Sequence, residues 1–204
     1  MLRIGLVMLQ GARHAHIEAL NRASSVTNIP IEIFELRNSE DFELCKPDAI
    51  ILPGGESTTM RLTGNSKYSN LFSNLFDYMD NNPYLPVLGT CAGAILLTNP
   101  GGKKTSFIDA KVNRNAYGNQ SESFQSTVFT KLFNDNFPGV FIRAPRFIEI
   151  GPEADVIAEL NSEVVGVRTK NRLALTFHPE LSDNPNFHIW LLEISKENKS
   201  EMTL

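Results

Sequence analysis

The sequence predicts an α/β protein with three layers, in which helices flank an open, mostly parallel sheet that carries some antiparallel additions. Two observations predict this class. Short apolar runs alternate with helical segments in the first half of the chain, and shorter strand candidates follow one another in the second half. A length of 204 residues suits one hydrophobic core. We therefore expect a single domain over residues 1–195 and a polar C-terminal tail over residues 196–204.

The first half of the chain predicts parallel strands joined by crossover helices. The predicted strands are the apolar runs 2–9, 31–36, 49–52 and 85–88. The predicted helices are residues 12–23, 68–79 and 92–97. Pro53 and the two glycines after it end the third strand, and Gly89 separates the fourth strand from the helix that follows.

The second half of the chain predicts mainly strands. The candidates are residues 108–112, 123–129, 140–142, 147–150, 164–167 and 173–177. Because they are short and closely spaced, we expect some of them to pair in antiparallel fashion. An amphipathic helix over residues 185–195 is expected to precede a frayed tail.

The composition argues against polyanionic and membrane partners. Charged residues make up 21% of the chain, and the net charge of -4 is small and not concentrated in long runs of like charge. No segment resembles a signal peptide or reaches the roughly 18 apolar residues of a membrane span. We expect a cytoplasmic protein without a nucleic acid or membrane partner. Cys45 and Cys91 could form one disulfide, but a reducing compartment makes it unneeded, and we expect at least one free thiol.

A nucleophile turn is predicted at Gly89-Thr90-Cys91-Ala92-Gly93, between a strand and a helix. The glycines avoid collisions around a residue held in strained backbone, and the helix N-terminus favours the reactive thiolate. A buried cysteine can also serve only as a small apolar side chain. The pattern therefore predicts a catalytic Cys91 only in combination with a base.

The base is predicted at His178, which follows the last strand candidate and is separated from Glu180 by one proline. In extended backbone, residues i and i+2 project to the same side, and a residue before proline favours that geometry. The Glu180 carboxylate can then orient the imidazole toward a thiol. Without Glu180, His178 would be interpreted as a satisfied polar residue, which is our interpretation of His14, His16 and His188.

An oxyanion hole is predicted beside the nucleophile. Paired glycines after the third strand let a backbone N–H approach a ligand, so the N–H groups of Gly55 and Ala92 are the expected donors, although such glycines also make simple tight turns. Ligands of open α/β sheets lie at the carboxyl ends of the strands, where all three motifs fall. No phosphate or dinucleotide fingerprint occurs, and no metal-ligand spacing involves His178, so we predict no cofactor and no metal.

These motifs resemble those of the class I, or triad, glutamine amidotransferases, and the resemblance implies their flavodoxin-like fold. The shared motifs are PGGES at 53–57, GTCAG at 89–93 and FHPE at 177–180. Further segments resemble the glutaminase subunits of pyridoxal 5'-phosphate synthases: QGA at 10–12, RNAYG at 114–118 and FIRAP at 141–145. The likeness extends from residue 4 to about residue 193.

The resemblance implies that Cys91 attacks the side-chain amide of L-glutamine, forming a thioester and ammonia, with His178 and Glu180 completing the triad. It also implies a glutamine pocket formed by Gly55, Glu56, Ser57, Arg114, Ile142 and Arg143. Because a guanidinium matches a carboxylate, we expect Arg114 to bind the α-carboxylate of glutamine. Arg143 can also serve in a surface salt bridge.

The resemblance further implies a partner. Ammonia passes to a barrel-fold pyridoxal 5'-phosphate synthase subunit, a (β/α)8 barrel, in a multi-subunit complex that uses a pentose phosphate and a triose phosphate. The glutaminase is expected to be weak until that subunit docks. Ala15, Asn119 and Gln125 replace a glutamate, an arginine and a glutamate that are common in the family, which bears on docking and activation rather than on the triad.

Three alternatives stay open. The chain can be a glutaminase that serves another synthase, such as imidazole glycerol phosphate synthase, although QGA, RNAYG and FIRAP argue against this. It can be a non-catalytic regulatory subunit, against which the intact Cys91, His178 and Glu180 speak. It can also be a γ-glutamyl peptidase, which a test of γ-glutamyl substrates would separate.

Overall fold

The structure is a computed structural model that describes residues 1–9, 13–66, 69–102, 104–114 and 123–201. Its strands are β1 (Leu2–Val7), β2 (Ile31–Leu36), β3 (Ala49–Leu52), β4 (Val87–Thr90), β5 (Ala110–Asn113), β6 (Ser123–Thr130), β7 (Asp135–Ile142), β8 (Arg146–Ile150), β9 (Asp155–Leu160), β10 (Glu163–Thr169) and β11 (Arg172–Leu175). Its helices are α1 (Arg13–Thr27), α2 (Ser39–Cys45), α3 (Ser57–Gly64), α4 (Leu71–Asn81), α5 (Ala92–Thr98), α6 (Asn186–Glu201) and a short 3-10 helix (Pro179–Leu181).

One large sheet organises the described part of the chain, with the strand order β2-β1-β3-β4-β11-β10-β9-β6-β7. The strands from β2 to β11 in that order are parallel to one another. The remaining strands, β10, β9, β6 and β7, add to the sheet in antiparallel fashion. Strands β5 and β8 form a separate antiparallel pair. The predicted α/β class with antiparallel additions is confirmed.

Helices cover both faces of the parallel strands, which gives the predicted three layers. The two faces are separated by alternation along β3, because Ile50 and Leu52 belong to one apolar cluster, whereas Ala49 and Ile51 belong to the other. The first cluster includes side chains of α2, α4 and α5, and the second includes side chains of α1 and α6. None of the helices in the described ranges is both long enough and apolar enough to cross a membrane.

The observed elements differ from the predicted ones where local patterns are weak. Helices α2 and α3 and strand β9 were not predicted: α2 and α3 are only 7 and 8 residues long, too short to establish a helical period. The start of the predicted helix 68–79 is also different, since α4 begins at Leu71 and Tyr68 lies outside the described residues.

The C-terminal helix is longer than predicted, because α6 continues to Glu201 rather than ending at Ser195. The expectation of a frayed tail is therefore wrong for residues 196–201, while residues 202–204 lie outside the described ranges. Lys199 stabilises the added residues of α6. Its Nζ lies 2.7 Å from Oδ2 of Asp48, the residue that directly precedes β3.

Helix α5 lies so close to β3 and β4 that two positions require glycine. A Cβ atom on Gly93 would lie 1.9 Å from the carbonyl oxygen of Leu52. A Cβ atom on Gly89 would lie 2.6 Å from Leu97 Cδ1 and 2.9 Å from the Gly93 backbone. The glycines of the GTCAG motif thus let the helix start directly above the sheet, with Cys91 at the junction.

We predict that Gly93→Ala lowers the free energy of unfolding by about 3 kcal/mol or more, because the added methyl group forces two backbones apart. Chemical denaturation measures this loss. Gly102→Ala is the control: its Cβ would meet no heavy atom within 4 Å, and only its φ of +64 is unfavourable, which costs roughly 1 kcal/mol. Equal losses in the two variants would contradict the steric explanation.

Candidate active site

The three sequence motifs meet at one edge of the sheet because β3, β4 and β11 are neighbouring parallel strands. Leu52 at the end of β3 is in register with Gly89, and Thr90 at the end of β4 is in register with Leu175. The Cys91 N–H continues this pairing by donating to the Leu175 carbonyl at 2.8 Å. The carboxyl ends of these strands therefore bring the glycine loop, the cysteine and the His178 segment together.

Cys91 occupies a strained turn between β4 and α5. Its φ of 49 and ψ of -102 are unfavourable for a residue with a side chain. The thiol is buried and lies 3.8 Å from the carbonyl oxygen of Ile142, and its interaction with His178 helps to raise the pKa of that imidazole. The predicted nucleophile and the predicted base are thus close enough to interact.

His178 is held by Glu180 through a buried hydrogen bond of 2.8 Å between Nδ1 and Oε1. The imidazole also packs against Gly54, where a Cβ atom would lie 2.4 Å from its Cε1. The contact between the two side chains agrees with the prediction. The extended backbone from which we predicted it is wrong for residues 179–181. Pro179 starts a 3-10 helix, and the turn of this helix brings the Glu180 carboxylate back to the ring.

Burial and hydrogen bonding act in opposite directions on both members of this pair. Burial lowers the pKa of His178, but hydrogen bonds with Cys91 and Glu180 outweigh it and raise the pKa to about 10. Burial raises the pKa of Glu180, but His16 and His178 outweigh it and lower the pKa to about 2. At neutral pH the imidazole therefore retains its proton, and the carboxylate is ionised.

Two further histidines, neither of them predicted as a site residue, extend the buried cluster. His16 Nε2 lies 3.5 Å from Glu180 Oε1, and His16 Nδ1 lies 3.1 Å from His188 Nε2. The sequence pattern alone predicts only satisfied polar residues at these two positions. Helical spacing was the available signal: His16 shares the buried stripe 16, 19, 20 and 23 of α1, and His188 shares the stripe 188, 191, 192 and 195 of α6.

Glu56, predicted to line the glutamine pocket, serves as the N-cap of α3. Its carboxylate accepts hydrogen bonds from the backbone N–H groups of Thr58 and Thr59 at 3.0 and 2.7 Å. These bonds lower the pKa of Glu56 to about 2. Arg114 reaches the same place, with its Nη2 3.3 Å from Glu56 Oε1 and 2.7 Å from Thr58 Oγ1. The Glu56 carboxylate and the Arg114 guanidinium thus lie next to each other at the start of α3.

The other predicted pocket residues surround the same edge. Ser57 is buried at the first position of α3, and Gly55 is exposed with a φ of 143. The Ile142 carbonyl oxygen lies 3.8 Å from the Cys91 sulfur. Arg143, the next residue, is exposed and has a φ of 46. Ala92, the other predicted oxyanion donor, begins α5.

Several predicted features lie away from the edge or outside the described residues. Arg146 forms a salt bridge instead, with its Nε 2.9 Å from Glu163 Oε1. Ala15 is half-buried on α1, and Gln125 is exposed on β6. The QGA segment, residues 115–118 of RNAYG and Asn119 are not among the described residues. In the ranges that are described, no three His, Cys, Asp or Glu side chains are grouped to hold a metal ion.

Known proteins match this chain over most of its length. The SNO glutamine amidotransferase family matches residues 6–197. The pyridoxal 5'-phosphate synthase subunit PdxT of Thermococcus onnurineus is 41% identical over 199 residues, which cover 94% of this chain and 98% of that protein. The PdxT subunit of Shouchella clausii is 40% identical over 191 residues, which cover 92% of each.

Solved structures agree with these sequence similarities. A crystal structure of a glutamine amidotransferase superimposes with a TM-score of 0.80 at 36% identity, covering 95% of this chain and 99% of that one. A glutamine amidotransferase from Thermotoga maritima superimposes with a TM-score of 0.59 at 16% identity, covering 98% of this chain and 85% of its own. At that identity, the second likeness concerns the fold alone.

We predict that the contribution of His178 to stability is lost at alkaline pH. Its pKa is about 10 in the folded protein, against 6.5 as the ordinary value, so the protonated ring stabilises the fold fully below pH 6.5 and no longer above pH 10. The difference in unfolding free energy between wild type and His178→Gln should therefore shrink as the pH rises through this range, as measured by denaturant titration.

The control for this titration is His14→Gln, since His14 is exposed on α1. This variant should follow the wild type at each pH. A wild-type advantage over His178→Gln that stays constant between pH 6.5 and pH 10 would contradict the assigned direction of the pKa shift.

Proposed function

Because the chain belongs to the SNO glutamine amidotransferase family, we propose that it hydrolyses L-glutamine to L-glutamate and ammonia, with Cys91 as nucleophile. The observation that carries this proposal is the buried 2.8 Å bond between His178 Nδ1 and Glu180 Oε1, next to a cysteine in a strained turn. The bond fixes one ring nitrogen and leaves Nε2 of His178 for the thiol.

The first half of the reaction transfers the γ-glutamyl group to sulfur. The raised pKa of His178 favours a proton on the imidazole, and the thiolate is the nucleophilic form of cysteine that the proposed reaction uses. The sulfur attacks the amide carbon of the glutamine side chain, and the carbonyl electrons move to oxygen. When this tetrahedral intermediate collapses, the C–N bond breaks and the leaving nitrogen takes the imidazolium proton, which releases ammonia and leaves a thioester.

The second half hydrolyses the thioester. Neutral His178 removes a proton from water, and the hydroxide adds to the thioester carbon. Collapse breaks the C–S bond, restores the thiolate and the imidazolium, and releases glutamate. Glu180 remains ionised throughout because its pKa is about 2, and it stabilises the imidazolium each time that this cation forms.

The carbonyl oxygen of the substrate amide and the α-amino and α-carboxylate groups of glutamine are assigned to two neighbouring sites. The N–H groups of Gly55 and Ala92 flank the carbonyl oxygen, as donors from the end of β3 and the start of α5. Arg114 and Glu56 present opposite charges at the start of α3, which suits the zwitterionic head of an α-amino acid. Ser57, Ile142 and Arg143 complete the pocket.

The ammonia serves pyridoxal 5'-phosphate synthesis in this proposal. Relatives described as pyridoxal 5'-phosphate synthase subunits match the chain over nearly its full length at about 40% identity. The synthase partner receives the ammonia, and the resemblance of the motifs points to a (β/α)8-barrel subunit within a multi-subunit complex. The same resemblance favours a cytoplasmic location.

We predict that Cys91→Ala lowers glutamine hydrolysis by at least about a thousandfold, because no other group can form the thioester. Cys45→Ala is the matched control. Cys45 is buried in α2, and burial raises the pKa of its thiol to about 12, so it remains a neutral apolar side chain. This variant should retain wild-type turnover. Ammonia release is measured with and without the synthase subunit from the same source.

Two outcomes would contradict the proposal. Equal ammonia release by wild type and Cys91→Ala would show that Cys91 is not the nucleophile. Rapid cleavage of γ-glutamyl peptides without stimulation of glutamine hydrolysis by the synthase would indicate a peptidase instead, with the same triad and another biological role.

We predict that Arg114→Gln raises the KM for glutamine by roughly tenfold with a smaller change in kcat, because the lost interaction binds the substrate head rather than the transition state. Arg168→Gln is the control. Arg168 pairs with Asp155 and is in register with Leu173 near the start of β11, away from the triad edge. Steady-state kinetics of the assembled complex measure both variants, and an unchanged KM in Arg114→Gln would contradict the assignment.

A further inference from the structure

Glu180 is contacted by two imidazoles, although the proposed mechanism uses only one. Its Oε1 lies 2.8 Å from His178 Nδ1 and 3.5 Å from His16 Nε2. Both His16 and Glu180 are almost completely buried. His16 Nε2 has no hydrogen-bond partner of ordinary length among the described residues, so the Glu180 carboxylate is the acceptor that it faces. The separation is longer than an ordinary hydrogen bond.

The second nitrogen of His16 is also occupied. Its Nδ1 lies 3.1 Å from His188 Nε2, with the two rings tilted by 55° and their centroids 5.4 Å apart. One of these nitrogens must donate and the other accept. If His16 directs its Nε2–H to the carboxylate, its Nδ1 is the acceptor and His188 donates.

Burial keeps both histidines neutral. It lowers the pKa of His16, and it lowers the pKa of His188 to about 3 with a smaller contribution from His16. Glu180 opposes the shift in both residues, and Arg22 adds to it at His188. At neutral pH the two rings therefore act as oriented dipoles and N–H donors rather than as cations.

We propose that His16 is a positioning residue of the triad, which directs its Nε2–H to Glu180 and so fixes the carboxylate that orients His178. His188 selects the required tautomer of His16 by donating to its Nδ1. The inference rests on the proposed function, since the residue acts through the Cys91 triad. The order of contacts is His188, His16, Glu180 and His178, with Cys91 at the end.

A second donor to Glu180 has a clear physical reason. A buried carboxylate is costly unless several donors satisfy it. With His178 as its only side-chain donor, Glu180 would be less well stabilised as an anion and free to rotate about its own side-chain bonds. Both changes would weaken its hold on the imidazole, in the way that outer partners tune the ligands of metal sites.

The test compares two substitutions of His16. His16→Gln retains an N–H donor close to the place of Nε2, whereas His16→Leu fills a similar volume without a donor. In the glutaminase complexed with its synthase, we expect His16→Leu to lower kcat by roughly tenfold, because the buried Glu180 carboxylate loses a donor that faces it. KM should change by less than about twofold. His16→Gln should recover most of the loss.

Two readouts separate positioning from a general effect on the fold. The pKa of His178, followed by NMR with carbon-13 at Cε1, should be lower in His16→Leu than in wild type and restored in His16→Gln. In a Glu180→Gln background, His16→Leu should cause no further fall in kcat, because its acceptor is already changed. His14→Leu, an exposed position on the same helix, should match the wild type.

The inference is overturned if His16→Leu lowers kcat by the same factor with and without Glu180→Gln, or if it leaves both kcat and the pKa of His178 unchanged. Cys91→Ala distinguishes this failure from failure of the proposed function. If Cys91→Ala is inactive and His16→Leu is fully active, only the proposed role of His16 is contradicted. An active Cys91→Ala would remove the cysteine mechanism itself.

Discussion

A buried hydrogen bond of 2.8 Å between His178 and Glu180 constrains the rest of this site. A carboxylate and an imidazolium can share a dry environment only when each satisfies the other, because either charge alone would be expensive to bury. The bond determines which ring nitrogen faces Cys91 and keeps the proton on the imidazole. Catalysis by the thiol depends on both consequences.

The fold supplies this bond through close backbone approaches. Parallel pairing of β4 with β11 places Cys91 and His178 at the same edge, and glycines remove the side chains that would keep them apart. Gly93 lets α5 lie against the Leu52 carbonyl, and Gly54 lets the His178 ring lie against the loop after β3. Every residue of β3, β4 and β11 is buried, so the site is built at the ends of fully buried strands.

Local pattern predicted the parallel half of the fold and the triad, because both follow from short-range signals: apolar runs, glycines and the spacing of His178 from Glu180. The order of the antiparallel strands depends on long-range pairing that no short segment encodes. His16 shows the same limit within the site. Its spacing on α1 indicated burial, but its partners Glu180 and His188 are distant in sequence and meet it only after α1 packs on α6.

The most direct test of the cysteine mechanism is to trap the intermediate. Wild-type glutaminase in complex with its synthase is mixed with glutamine, quenched in acid during turnover, digested and examined by mass spectrometry. The account predicts one γ-glutamyl group in thioester linkage on the peptide that contains Cys91, and none on the peptide that contains Cys45. Ammonia release without any adduct on Cys91, under conditions that preserve a thioester standard, would contradict it.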